Sequence, residues 1–117
     1  MPHSLLTEQK LRYKQHFDKV FANRKRLSSL RFLAYYRKSD LSYSRIGVMC
    51  AKRNVRSAVE RNRIRRVLKE QFRLNQHDLP AVDLVFVAKK EAGKANNNEL
   101  RTCIDKLLTK IITSAAK

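Results

Sequence analysis

The chain has 117 residues, 43% of them hydrophobic, enough apolar material for one compact domain and too little length for two. Lys and Arg number 27 against 10 Asp and Glu, a net charge of +17, and self-repulsion on that scale implies a polyanionic partner: nucleic acid first, an anionic membrane surface as the weaker alternative. No apolar stretch approaches the ~20 residues that span a bilayer and the N-terminus lacks the order of a secretory signal, so a cytoplasmic protein is expected, with no membrane partner and no small-molecule substrate.

Residues 1–12 show no clear periodicity and read as a flexible lead-in to a single domain covering 1–117. From Tyr13 to Asn23, the residues Tyr13, Phe17, Val20 and Phe21 fall on one face of a short helix. Arg24 to Arg26 form a basic turn, with room for a short strand near Ser28. Leu30 to Tyr36 (LRFLAYY) is a strand with apolar residues on both faces. Ser39 to Ser44 is a loop. Ile46 to Ala51 (IGVMCA) is too short for a helix and reads as a central strand, in which Gly47 marks a bulge or a close backbone approach.

Ser57 and Glu60 form an S-x-x-E capping box, which starts a helix running to Asn75. Its apolar stripe is Ile64, Val67, Leu68 and Phe72, with Asn62, Arg65, Arg66, Lys69 and Arg73 on the opposite arc. Leu79-Pro80 ends that unit, and Val82 to Ala88 (VDLVFVA) is apolar on both faces from Leu84 onward, as a strand covered on each side requires. After Gly93, an Asn cap in the Asn96 to Asn98 run opens a last helix with the stripe Leu100, Cys103, Ile104, Leu107, Leu108 and Ile111, fraying after Ile112. The expected fold is α/β of the α+β kind, a two-layer sandwich in the order α-β-β-(β)-α-β-α, with a βαβ crossover made by the capped helix.

From Lys52 to Arg73 nine Lys and Arg stand against Glu60 and Glu70. A helix face that is merely solvated mixes signs and gains i,i+4 pairs, so this imbalance predicts phosphate binding. Arginine predominates, and its planar fork suits phosphates and stacking on bases, which leans toward RNA. Arg61 projects close to the apolar stripe and must snorkel, pair or line the edge of a groove. Phe17, Phe21, Tyr35 and Tyr36 have the rings to stack unpaired bases at roughly 1 to 3 kcal/mol each, although aromatic residues at such spacings are more often core. Cys50 and Cys103 lack any CxxC or Cys/His spacing and read as buried free thiols. His3, His16 and His77 lack metal-ligand spacing. No catalytic constellation of the protein's own is expected, and composition alone fits a ribosomal or nucleoid protein as well as any other nucleic-acid binder.

The stretch Arg45 to Phe72, RIGVMCAKRNVRSAVERNRIRRVLKEQF, resembles the signature block of the bacterial ribonuclease P protein family: an apolar strand, a basic turn, then A-V-x-R-N-R-I-x-R on a helix. The similarity extends to YKQHFDKVFANRKRLSSLRFLAYY and to VDLVFVAKK with its following helix, so it covers nearly the whole chain after residue 10. The Asn54 to Arg56 insertion, where some members have a shorter Gly-containing turn, is similar to the gamma-proteobacterial form. The resemblance implies a subunit that joins a catalytic RNA and helps it remove the 5′ leader of precursor tRNA, with magnesium held mainly by the RNA. It also implies a left-handed crossover between the two parallel strands. By the same resemblance, Phe17, Phe21, Tyr35, Lys52 and Arg53 would line a cleft for the leader. Arg61, Asn62, Arg63, Arg65, Arg66 and Lys69 would face the RNA subunit.

Overall fold

The structure, a computed structural model, describes residues 10–11, 14–23 and 25–115. Its elements are α1 (Lys14–Ala22), β1 (Arg26–Ser28), β2 (Phe32–Lys38), β3 (Arg45–Met49), α2 (Ala58–Asn75), β4 (Val82–Ala88), a 3-10 turn (Lys90–Lys94) and α3 (Asn97–Ala115). The sheet order is β1-β2-β4-β3, antiparallel except for the β3–β4 pair. The parallel pair is joined through α2, the expected βαβ unit. The apolar strand β4 lies between two neighbours, which is why its residues read as buried on both faces.

Strand alternation divides the apolar residues between two clusters. Phe32, Ala34, Tyr36, Ile46, Leu84, Phe86 and Ala88 pack with α2 and α3 in the main core. Phe32 and Phe86 meet edge to face there, with ring centroids 6.0 Å apart. Tyr35, Val85 and Val87 point the other way and pack under Val20, Phe17 and Phe21 of α1. The principal sandwich is thus the sheet against α2 and α3, with α1 on the opposite face. Each large apolar side chain fully buried in the main core contributes about 1.5 to 3 kcal/mol, so that layer dominates stability and α1 adds the lesser share.

Local chemistry moves several element ends from where periodicity places them. β2 starts at Phe32, not Leu30, because Ser29 closes a tight turn: its amide donates to the Phe32 carbonyl at 2.9 Å and its hydroxyl accepts from the Phe32 amide at 3.1 Å. Leu30 is spun outward and is 64% exposed. The short strand near Ser28 is β1. β3 stops at Met49 rather than Ala51, because the Ala51 carbonyl accepts the amides of Asn54 and Val55 and so closes a turn. α3 runs on past Ile112 to Ala115 instead of fraying.

The capping box expected at α2 is half formed. The Ser57 hydroxyl accepts the Glu60 amide at 3.3 Å, but the Glu60 carboxylate turns to Arg63. The reciprocal box appears at α3, where Asn96 Oδ1 accepts the Glu99 amide and Glu99 Oε1 accepts the Asn96 amide. Of the expected lead-in, residues 1–9 and 12 lie outside the described residues, as do Tyr13 and Arg24. Lys10 and Leu11 are not loose: Lys10 bridges Ile46 in parallel, the Leu11 amide donates to the Ile46 carbonyl at 2.8 Å, and Leu11 is buried. They cover the outer edge of β3, which would otherwise offer unpaired backbone groups.

Candidate nucleic-acid interface

Helix α2 has two chemically different flanks. Ile64, Val67, Leu68 and Phe72 are buried. At about 100° per residue the exposed side centres on Asn62, Arg66 and Arg73, with Arg65 and Lys69 on one flank and Arg63 on the other. Arg65 and Lys69 turn toward the β3 edge. Burial holds the Lys69 ammonium below its usual range, and repulsion from Lys10 and Arg65 adds to it. Burial likewise pushes the Cys50 thiol up, against the opposing fields of Arg65 and Arg61. Among the described residues, Arg65, Arg66, Lys69 and Arg73 make no ion pair. A cluster of like charges that no carboxylate pairs is an anion site in waiting.

Arg63 is committed elsewhere. Its guanidinium takes Glu60 Oε2 at 2.6 Å, Asn97 Oδ1 at 2.8 Å and the Ala95 carbonyl at 2.9 Å. Farther along the same flank Gln71 donates to Asp105 at 2.6 Å. This side of α2 is bonded to α3 from Asn97 at its start to Asp105 near its middle. Arg63→Ala is therefore expected to lower stability by about 2 kcal/mol, since it strands a carbonyl and a carboxylate, and the melting temperature by roughly 8 °C. A melt within about 2 °C of the parent would refute that role. Arg61 is also turned inward, its Nη1 donating to the Val55 and Arg56 carbonyls at 2.9 and 2.8 Å, so pairing is how it resolves its awkward position.

On the other face of the sheet, Phe17, Phe21 and Tyr35 form one half-buried cluster. Phe21 and Tyr35 meet edge to face at 4.8 Å between centroids. The Phe17 ring lies on Gly47, so closely that a Cβ there would sit 2.6 Å from Phe17 Cε1. The glycine is thus a close-approach site, as its place in a strand suggests. Tyr36 points the opposite way, into the main core. Beneath α1, Asp83 is 1% exposed and grips Arg45 in a fork, Nε to Oδ1 at 2.9 Å and Nη2 to Oδ2 at 2.8 Å. That bond holds the Arg45 guanidinium above its usual range, burial opposing it. Burial lowers His16 nearby, with Arg45 adding to the effect.

Met49 shares this face and is 44% exposed at its end. Immediately beyond it come Lys52 and Arg53, both exposed, on the turn that leads into α2. The structure thus brings Phe17, Phe21 and Tyr35 together and puts Lys52 and Arg53 on the exposed turn that joins β3 to α2. It presents Asn62, Arg65, Arg66 and Lys69, and it ties Arg61 and Arg63 to the protein itself. Sequence reasoning missed Met49 and Lys10. The alternation of β3 points Met49 to the side of Gly47, whereas Lys10 sits in an aperiodic segment that carries no signal. Among the described residues, no group of three or more His, Cys, Asp or Glu is placed to hold a metal ion, and no helix is long and apolar enough to cross a membrane.

A small basic α+β domain with an aromatic cluster on one face of its sheet and a cationic helix on the other is the class that the fold and surface define, and comparison with known proteins gives that class its family. The ribonuclease P family profile matches residues 5–112. The ribonuclease P protein component of Coxiella burnetii is 47% identical over 102 residues, covering 87% of this chain and 84% of that one. That of Photobacterium profundum is 41% identical over 93 residues, covering 80% and 79%. The ribonuclease P protein from Thermotoga maritima superposes with a TM-score of 0.77 at 27% identity, over 87% of this chain and 96% of that one. The chain belongs to the ribonuclease P protein family.

Proposed function

We propose that this chain works as the protein subunit of ribonuclease P, binding the catalytic RNA subunit through α2 and the 5′ leader of precursor tRNA through the face beneath α1. The observation that carries this reading is a pair of surfaces on the two sides of the β3 edge, which Lys10 and Leu11 span: an aromatic cluster at Phe17, Phe21 and Tyr35, and cations at Lys52, Arg53, Arg65, Arg66 and Lys69 that make no ion pair among the described residues. Half-buried rings fit unstacked bases, and unpaired guanidinium and ammonium groups fit phosphates. The leader is the single-stranded part of such a substrate. Asn62 supplies an uncharged donor and acceptor beside Arg65 and Arg66 on the RNA-subunit side.

Hydrolysis itself is assigned to the RNA subunit and to magnesium held there, as membership of the ribonuclease P protein family implies. The protein's part is affinity and orientation. A cytoplasmic site of action follows from the substrate. The test is kinetic: adding the protein to its cognate RNA subunit at low magnesium is expected to accelerate removal of the leader, and no acceleration overturns the proposal. RNA that co-purifies should be one long structured species; ribosomal RNA or DNA instead would point to a packaging protein. Affinity for the RNA subunit should also fall with salt, with a log–log slope of about 0.7 to 0.9 per phosphate neutralised.

A further inference from the structure

The turn between β3 and α2, residues 51–56, carries three exposed cations, Lys52, Arg53 and Arg56, and is held more firmly than its composition suggests. Its backbone is closed by the Ala51 carbonyl, which accepts the Asn54 and Val55 amides, both at 3.0 Å. Three side chains then tie it to three separate elements. Asn54 Nδ2 donates to the Ala88 carbonyl at the end of β4, at 3.1 Å. Val55 is 5% exposed in the main core and faces Gly93 of the 3-10 turn, where an added Cβ would meet its methyl at 3.4 Å. Arg61, from the first turn of α2, donates through one nitrogen to the Val55 and Arg56 carbonyls.

Arg61 stands where a cation is least favoured, since the first turn of a helix concentrates the positive end of the backbone dipoles. A side chain present only to attract phosphate would do better elsewhere on α2. What Arg61 does there is satisfy two carbonyls of a segment that belongs to neither strand nor helix. The turn follows the carboxyl end of β3 and is pinned to the carboxyl end of its parallel partner β4. In open sheets with parallel strands, ligands gather at that end.

We propose that Arg61 and Asn54 are positioning residues for RNA: they fix the 51–56 turn so that Lys52, Arg53 and Arg56 present a preorganised triplet of cations where the leader-facing surface meets the basic arc of α2. This rests on the ribonuclease P reading and reassigns Arg61 from a phosphate contact to a support. Three flexible cations would have to be ordered at the moment of binding, whereas a pinned turn has met most of that cost during folding.

The test is a mutant cycle in the assembled holoenzyme, reading affinity for a precursor tRNA that carries its leader. Asn54→Ala removes no charge, and Arg61→Ala removes one. Each is expected to weaken binding by about tenfold in the parent, and by less than about twofold when Lys52, Arg53 and Arg56 are already alanine, as residues sharing one network do. Equal losses in both backgrounds would show that Arg61 contacts RNA on its own account, and would overturn the inference. In the free protein, Arg61→Ala should speed hydrogen exchange at the Asn54 and Val55 amides while leaving Leu68 in the middle of α2 unchanged. Uniform acceleration along the chain would also overturn it. Should Arg61→Ala fail to fold, Asn54→Ala and the charge-preserving Arg61→Lys carry the same cycle. Failure of the parent protein to accelerate leader cleavage sinks the ribonuclease P reading, and the inference with it; additivity with that acceleration intact sinks only the inference.

Discussion

Phe17→Ala is expected to weaken holoenzyme binding of a leader-bearing precursor tRNA by about tenfold, a loss of roughly 1.4 kcal/mol and within the range for one stacked base. Binding of mature tRNA, which lacks the leader, should stay within about twofold. The ring is half-buried between α1 and Gly47, so it has a face against the protein and a face left over for a base. Arg65→Ala provides the contrast. Arg65 lies on the flank of α2 with Lys69 and Lys10 and has no acidic partner among the described residues, so its removal should weaken both RNAs alike. Equal losses for both variants across both ligands would refute the assignment of the aromatic face to the leader. Circular dichroism of Phe17→Ala separates this from loss of α1, whose packing rests on the same cluster.

The second large effect concerns stability. Asp83→Ala should lower the stability of the free protein by about 3 to 5 kcal/mol, because it leaves a guanidinium under α1 without its counter-charge. The melting temperature would then fall by roughly 12 to 20 °C. Asp83 is the one buried carboxylate among the described residues. It holds Arg45 by two short bonds and has Arg37 at 3.9 Å. Replacing both members of the main pair, Asp83→Leu with Arg45→Met, should recover much of the loss, since an apolar pair of similar volume leaves no charge unpaired. A single variant that melts within about 3 °C of the parent would show that solvent reaches Arg45 freely.

The long helices and the central strand are legible in the sequence because each carries a period that only one structure satisfies. Ile64, Val67, Leu68 and Phe72 define a buried stripe, and so do Leu100, Ile104, Leu107, Leu108 and Ile111, whereas Cys103, expected in that stripe as a buried thiol, is only partly buried and meets the Ser29 hydroxyl at its edge. β4 is legible for the opposite reason, since VDLVFVA has no polar face to give. Strand ends were less legible, because a hydroxyl decides them: Ser29 takes Leu30 and Arg31 out of β2. The candidate interface was legible as a block and not residue by residue. Arg61, Arg63, Arg65 and Arg66 are equivalent as letters, and only the positions of the Val55, Arg56 and Ala95 carbonyls separate supports from free cations. Those carbonyls come from turns distant in sequence or irregular in form, where pattern carries no information.

The contact between Phe17 and Gly47 makes the separation of α1 from the sheet a steric variable independent of the surrounding charge. Any side chain at position 47 acts as a wedge under the ring of Phe17 and displaces that ring while leaving every lysine and arginine in the sequence. Gly47→Ala and Gly47→Ser therefore form a graded series in which groove geometry changes at constant electrostatic field, something no substitution among the cations can achieve. Positions 17 and 47 should also be exchangeable only as a pair, a bulkier residue in the sheet being tolerated when a smaller one stands on the helix.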